Sequence, residues 1–202
     1  IYVSGQVGDA RLALEVFRGH AQLAPDLFEA ARKRLEQPTP RVALGMALRG
    51  IANACIDISD GLIGDLGHVL SASGVGAVIN TDWVSDSAAI SDAVHSLPLH
   101  KRLDMALAGG DDHELLFTAA PDQAQAVQEA ANESGVSVTC IGHVRAGKQL
   151  QVLDAHGVAM VTAGTPAGHG IWFGAQPQSA RHGGHLVGLG CICIDAVVLG
   201  CV

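Results

Sequence analysis

One short segment, residues 54–70, constrains the fold of this chain more than any other; it reads ACIDISDGLIGDLGHVL. An apolar run typical of a buried strand ends at Asp57, and apolar residues at helical spacing follow Asp60. Because side chains alternate along a strand, Asp57 and Ser59 should point to one side and the two flanking isoleucines to the other. The segment therefore predicts a strand that leads directly into a helix, as in sheets covered by helices.

The two carboxylates of this segment have different structural explanations. Asp60 stands where a helix N-cap is expected, and taken alone this interpretation is favoured over a functional one. Asp57 interrupts an apolar strand, where a carboxylate is costly unless a cation, hydrogen-bond donors or solvent compensate it. It therefore indicates either an exposed edge strand or a ligand site. Two carboxylates and the hydroxyl of Ser59 form a set of oxygen ligands that suits Mg²⁺, which proteins commonly hold together with substrate phosphates.

A second acidic segment, LAGGDDHELLF at residues 107–117, places Asp111, Asp112 and Glu114 within four positions. Its two glycines are predicted to end a helix and to allow close approach of another backbone. Like charges at this spacing repel one another unless solvent or cations separate them. Taken alone, the segment is best interpreted as a solvated acidic turn. Two such clusters in one acidic chain favour a functional site.

Helical and strand patterns alternate through most of the chain. Helices are predicted at 8–20, 24–37, 41–49, 60–74, 85–97, 100–110 and 121–135, and strands at 1–4, 52–59, 75–84, 113–120 and 136–144. Residues 149–162 are predicted to form a hairpin that turns at 154–157. The alternation, with some adjoining strands, predicts an α/β to α+β fold, a mixed β-sheet covered by helices.

Composition excludes several classes of function. The 202 residues carry a formal net charge of −8, which leaves no basic surface for a nucleic acid. Five cysteines, an odd number unevenly spread, do not indicate a disulfide framework, so we expect reduced thiols and a cytoplasmic protein. The apolar stretch LVGLGCICIDAVVLGCV is interrupted by Asp195 and is short for a membrane span, which is therefore not expected. A zinc site is disfavoured because the intervals between its candidate ligands match no common finger; these are His182, His185, Cys191 and Cys193.

Several blocks of the chain resemble, in order, the thiamine-monophosphate kinases: IYVSGQVGDARLAL, PTPRVALGMALRGIANACIDISDGLIGDLGHVLSASGVGAVI, LAGGDDHELLF and TCIGHV. The resemblance covers about residues 1–165. It implies the second domain of a two-domain, usually homodimeric enzyme of the aminoimidazole ribonucleotide synthetase-like (PurM-like) superfamily. Residues 1–20 would end the first, ATP-binding domain, 21–165 would form the C-terminal α/β domain, and 166–202 would be an atypical tail, disordered or frame-shifted.

The resemblance also implies the reaction and the residues that serve it. The reaction is phosphorylation of thiamine monophosphate by ATP to thiamine diphosphate, and this chain alone would be an incomplete fragment, weakly active or inactive. Asp57 and Asp60 would bind Mg²⁺, Ser59 would contact ATP, and Asp111 would contact the thiamine phosphate. Trp172 is the nearest candidate for an aromatic residue that packs on the substrate. Two alternatives remain open: another ATP-using synthetase of the superfamily, and a non-catalytic dimerisation or ligand-binding module.

Overall fold

The computed structural model describes residues 1–85 and 87–160. Its helices are α1 (Asp9–Phe17), α2 (Pro25–Glu36), α3 (Val42–Ala47), α4 (Leu62–Ser73), α5 (Asp82–Ser85), α6 (Asp92–His95), α7 (Leu99–Ala108) and α8 (Ala124–Ser134), with a 3₁₀ turn at Pro121–Gln123. Its strands are β1 (Tyr2–Ser4), β2 (Ala52–Asp57), β3 (Gly76–Asn80), β4 (Leu115–Ala119), β5 (Val138–Cys140), β6 (Gly142–Arg145), β7 (Leu150–Leu153) and β8 (Ala159–Met160).

Local sequence signals explain several of the element boundaries. Pro25 opens α2, where its missing N–H costs nothing and its backbone angle suits a first turn. Helices α4 and α8 both end at a glycine in the left-handed conformation, Gly74 and Gly135. The predicted hairpin at the end of the described chain is confirmed, because β7 pairs antiparallel with β8.

The strands form two sheets of four strands each. In the first sheet, the order is β2-β4-β1-β5 and all neighbours are antiparallel. In the second, the order is β6-β3-β7-β8, and β3 pairs parallel with β7. The predicted class of fold, mixed strands covered by helices, is confirmed, but the strands are divided between two sheets. The division falls within predicted strand 136–144, because the buried Ile141 separates β5 from β6.

Two further predictions about the elements need correction. The strand predicted at 75–84 ends at Asn80, and its last residues form the short helix α5, in which Trp83 and Val84 are buried. Of the helix predicted at 85–97, the residues that the structure describes are helical only at Ser85, which ends α5, and over α6. There Ser91 ends the preceding loop, since its hydroxyl accepts a hydrogen bond from the N–H of Val94.

The first sheet is covered on both faces. On one face, Phe117 of β4 stacks on Tyr2 of β1 with ring centroids 5.3 Å apart, and the buried residues of α3 and α8 pack against this pair. On the other face, Val3 and Leu116 join the larger core, which also contains Ile79 of the second sheet. Each of these large side chains contributes about 1.5–3 kcal/mol through burial.

The position of the strands determines where the acidic segments lie. Strand β2 is at the edge of the first sheet, and Asp57 is its last residue. Strand β1 lies in the interior of the same sheet, between β4 and β5.

The division of the chain at residue 20 stays a prediction. Within the described residues, no helix is long and apolar enough to cross a membrane.

Candidate functional site

The two acidic segments lie side by side, because the pairing of β2 with β4 continues beyond both strands. The N–H of Ile58 donates to the carbonyl oxygen of Glu114 at 2.8 Å. The N–H of His113 donates to the carbonyl oxygen of Ile58 at 2.9 Å. The N–H of Asp111 then donates to the carbonyl oxygen of Ser59 at 2.9 Å. Residues 57–60 and 111–114 therefore form one paired ribbon. This ribbon carries four of the predicted site residues, which are Asp57, Ser59, Asp60 and Asp111.

Gly110 permits the ribbon to close. A Cβ atom at this position would overlap the carbonyl oxygen of Ser59 and lie 3.4 Å from the carbonyl carbon of Asp60. Any side chain at residue 110 would therefore push the two segments apart. The prediction that a glycine of this segment allows close backbone approach is confirmed, as is the end of α7 before Gly109.

Side chains alternate in burial along residues 111–114. Asp111 and His113 are exposed and adopt left-handed backbone conformations, with φ of 64° and 51°. Such angles are costly for residues other than glycine and persist only where the surroundings impose them. Asp112 and Glu114 are only 1% and 0% exposed. The interpretation of this segment as a solvated acidic turn is therefore wrong for Asp112 and Glu114.

Glu114 is buried because two arginines and a serine compensate its charge. Arg41 donates from Nε to Oε2 at 2.8 Å and from Nη2 to Oε1 at 2.6 Å. Arg34 also donates to Oε1, and the hydroxyl of Ser4 donates to Oε2 at 2.5 Å. This network ties the start of β4 to β1, to α2 and to the residue before α3. A Cβ atom at Gly5 would overlap the Glu114 carboxylate, so the network also requires glycine there.

Asp112 connects the loop to the start of α1. Its Oδ2 accepts a hydrogen bond from the N–H of Gly8 at 2.8 Å, and its Oδ1 accepts one from the N–H of Ala10 at 3.4 Å. Burial raises the pKa of this carboxyl to about 8; the nearby carboxylate of Asp9 adds to the shift, whereas the two N–H groups and Arg34 oppose it. The helix terminus and the acidic loop are thus joined through a buried acid.

Asp65, on the first turn of α4, holds the turn that precedes the helix. Its Oδ2 accepts hydrogen bonds from the N–H of Ser59 at 3.0 Å and from the N–H of Asp60 at 3.1 Å. Burial raises the pKa of Asp65, its two N–H partners lower it, and the charges of Asp60 and Asp57 raise it further. All three acids of this segment are therefore close enough to interact electrostatically.

The interpretation of Asp60 as the N-cap of α4 is wrong. The helix begins at Leu62, and the capping position is occupied by Gly61, so no side chain caps this end. Asp60 lies one residue earlier and is exposed. Sequence reasoning also missed Asp65, although an aspartate on the apolar side of a predicted helix, next to Leu66, was a usable signal.

Asp57 is partly accessible at the edge of the first sheet. Its side chain is 35% exposed, and its Oδ2 lies 3.7 Å from Nδ1 of His113. In residues 1–85 and 87–160, neither Asp57 nor Asp60 forms an ion pair with arginine or lysine. The edge-strand explanation of Asp57 is therefore confirmed, and it leaves the carboxylate available to a ligand.

The donor set fits a hard cation only in part. Asp57, Asp60 and Ser59 offer carboxylate and hydroxyl oxygens, which Mg²⁺ prefers. The described part of the chain contains no group of three or more His, Cys, Asp or Glu side chains that could hold a metal ion. Oxygens from a bound phosphate or from elsewhere would have to complete the ligand shell. Trp172 and the four weighed zinc ligands lie outside the described residues.

The chain is similar to one family of known proteins. The sequence profile of the family described as AIR synthase related protein, C-terminal domain, matches residues 7–155. The thiamine-monophosphate kinase of Salmonella typhimurium is 39% identical over 168 residues, which are 82% of this chain and 48% of that protein.

Two solved structures are similar to three quarters of the chain. The thiamine-monophosphate kinase of Stenotrophomonas maltophilia K279a superposes with a TM-score of 0.68 at 40% identity, covering 75% of this chain and 48% of that one. AaThiL complexed with AMPPCP and TMP superposes with a TM-score of 0.60 at 28% identity, covering 75% of this chain and 46% of that one. The chain thus spans about half the length of these relatives, and the resemblance inferred from its sequence is confirmed.

Proposed function

Since the chain belongs to the family of AIR synthase related proteins, C-terminal domain, we propose that it forms part of an enzyme that phosphorylates thiamine monophosphate with ATP. The relatives named as thiamine-monophosphate kinases support the reaction, and the AaThiL complex with AMPPCP and TMP supports the pair of substrates. The single observation that carries the proposal is the ribbon itself. It holds the proposed metal and nucleotide residues, 57–60, one hydrogen bond away from the proposed acceptor residue, Asp111.

In the proposed reaction, an oxygen of the acceptor phosphate attacks the γ-phosphorus of ATP. The bond from that phosphorus to the β–γ bridging oxygen breaks, and ADP leaves. Such a transfer needs in-line positioning and screening of oxygen charge rather than covalent help from the protein. Mg²⁺ held by Asp57 and Asp60 would offset the negative charge of the phosphate oxygens.

The residues of this chain have separate roles in that scheme. Asp57 and Asp60 hold Mg²⁺, the hydroxyl of Ser59 orients a nucleotide phosphate, and Asp111 positions thiamine monophosphate. The exposure of Asp60 and the partial exposure of Asp57 support these roles, because both carboxylates are accessible to ligands. Trp172 is proposed, on resemblance alone, to pack against the thiamine.

The activity of the whole assembly needs more than these residues. The described residues offer two carboxylates for the metal, and the chain spans about half of its relatives. We therefore propose that residues 1–202 alone bind nucleotide weakly and turn over little or not at all. The active form is proposed to be a homodimer in the cytoplasm; the free thiols of Cys55 and Cys140 are compatible with a reducing compartment.

The test is an acceptor assay on the complete product of the gene that encodes this chain. ADP release is measured with Mg·ATP and thiamine monophosphate, and thiamine diphosphate is identified by chromatography. Carboxylate, amidine and carbamoyl acceptors serve as controls, because the other synthetases of the superfamily would use acceptors of a different kind. ADP release that requires thiamine monophosphate supports the proposal. Calorimetric binding of Mg·AMPPCP without turnover on any acceptor would instead favour a ligand-binding module.

A further inference from the structure

The peptide unit between Ser59 and Asp60 is held at both ends. Its carbonyl oxygen accepts a hydrogen bond from the N–H of Asp111 at 2.9 Å, and its N–H donates to Oδ2 of Asp65 at 3.1 Å. Rotation of this peptide would break both bonds at once. The same carboxylate oxygen of Asp65 also accepts from the N–H of Ser59 at 3.0 Å, so two consecutive amides converge on one atom.

Asp65 is an unfavourable choice for packing alone. It is 2% exposed on the side of α4 that buries Leu62 and Leu66, and a buried carboxylate loses hydration that its partners restore only in part. It is also not a cap for its own helix, because both of its donors precede the N-cap residue Gly61. The position of this buried carboxylate is explained if the turn that it holds must keep the Ser59 hydroxyl and the Asp60 carboxylate in fixed directions.

We propose that Asp65 is a positioning residue. By holding the N–H groups of Ser59 and Asp60, it sets the direction in which the Ser59 hydroxyl and the Asp60 carboxylate meet Mg²⁺ and the nucleotide. This inference rests on the proposed function, because it assigns Asp65 a task only if residues 59 and 60 bind those ligands. Residues that orient metal ligands without touching the metal commonly affect metal affinity about 10–100-fold.

The first arm of the test measures geometry without activity. In the ¹⁵N-labelled chain, the amide protons of Ser59 and Asp60 should exchange slowly in the wild type and fast in Asp65→Ala. They should stay slow in Asp65→Asn, because its side-chain oxygen can still accept from both N–H groups. A control variant on the same helix, Leu70→Ala, loses core packing but keeps the carboxylate. It should leave the exchange of these two amides slow relative to their neighbours.

The second arm measures ligand binding and turnover on the complete gene product. Asp65→Ala should raise the Mg²⁺ requirement and the KM for Mg·ATP about tenfold or more, with a smaller change in the KM for thiamine monophosphate. Asp65→Asn should recover most of the loss, and Leu70→Ala should keep the wild-type Mg²⁺ requirement. Equal Mg²⁺ requirements in Asp65→Ala and Leu70→Ala would overturn the inference.

The two proposals can fail separately. If the wild type binds Mg·AMPPCP but does not phosphorylate thiamine monophosphate, the proposed function fails, and calorimetric affinity in Asp65→Ala against Leu70→Ala still decides the role of Asp65. If the wild type turns over and Asp65→Ala binds Mg²⁺ and nucleotide like the wild type, only the positioning role is overturned. A wild type that binds neither Mg²⁺ nor nucleotide overturns both.

Discussion

The N–H of Asp111 donates to the carbonyl oxygen of Ser59 at 2.9 Å. This bond joins the residue proposed to contact the acceptor substrate to the residue proposed to contact ATP. Because it is a backbone bond, the separation of the two chains at this point is set by sheet geometry, roughly 4.8 Å between neighbouring strands. The distance between the backbones of the two proposed contact residues is therefore set by the fold.

Replacing Gly110 tests this relationship directly. In Gly110→Ala, the added Cβ atom overlaps the Ser59 carbonyl oxygen, so the ribbon has to open. We expect a loss of about 1–3 kcal/mol in the free energy of unfolding, with a larger fractional loss of turnover. Denaturant unfolding and the acceptor assay measure the two effects.

The matched control is Gly64→Ala, on the exposed side of α4, where an added Cβ atom meets nothing within 4 Å. It should stabilise the protein by about 0.5–1 kcal/mol, because alanine is the better helix former. A Gly110→Ala protein as stable and active as Gly64→Ala would show that the close approach is not needed.

Neutralising Asp57 should abolish most of the proposed turnover. Asp57→Asn keeps the size of the side chain but removes a charge that the metal needs, so we expect roughly a 100-fold or greater fall in kcat/KM. The assay is run at saturating Mg²⁺ to separate weak binding from a defective site. Asp122→Asn, at an exposed position beside α8, is the matched control and should behave as wild type. Near-normal turnover of Asp57→Asn would remove Asp57 from the metal site.

Removing the charge of Glu114 should destabilise the whole domain. Glu114→Gln leaves Arg34 and Arg41 facing a neutral amide in a largely buried position, and breaking a buried pair in this way typically costs about 3–5 kcal/mol. The Glu29 side chain is 71% exposed, and its ion pair in the described part of the chain is with Arg32 on the same helix, so Glu29→Gln should cost at most about 0.5 kcal/mol. Unfolding by urea distinguishes the two variants, and similar midpoints would contradict the structural role given to Glu114.

The buried Asp112 should give stability a distinctive dependence on pH. Its pKa is raised to about 8 in the folded protein, so the protonated acid is favoured there. The stabilisation that the folded protein gains from binding this proton is fully present below the unfolded-state pKa of about 4. It is lost as the pH rises towards about 8. We therefore expect Asp112→Asn, which cannot ionise, to gain stability relative to the wild type between pH 5 and pH 8. Denaturant unfolding at these two pH values measures the change.

An exposed acid provides the comparison for that experiment. Asp26→Asn, in the first turn of α2, should shift stability by nearly the same amount at both pH values. If the difference between wild type and Asp112→Asn is also the same at both values, Asp112 does not take up a proton on folding in this range. Loss of the bonds to Gly8 and Ala10 would then be its whole effect.

Most helices and strands were predictable because their signals are local. The apolar spacing of α2 and α8, the proline that opens α2 and the glycines that end α4 and α8 all act within a few residues. The short helix α5 escaped prediction, since the burial of Trp83, a contact made by the folded core, overrides the strand pattern of its segment.

The site was only half predictable for the same reason. The adjacency of acids in each segment is visible in the sequence, but the burial of Glu114 depends on Arg34 and Arg41, which lie 80 and 73 positions away. No local pattern distinguishes Glu114 from Asp111. The error over Asp60 was of another kind: a favourable capping residue stood at the right place, but the helix began two residues later, after Gly61.

The interior position of β1 also affects synthesis of the protein on the ribosome. Tyr2 pairs with Phe117 on one side and with Cys140 on the other. Strand β1 therefore has no partner strand until the chain has been translated at least as far as β4. During that interval its apolar side chains are exposed to the translation exit region and to chaperones. Slow translation of the segments between β1 and β4 would lengthen the exposure, whereas the helical segments in between can form as they emerge.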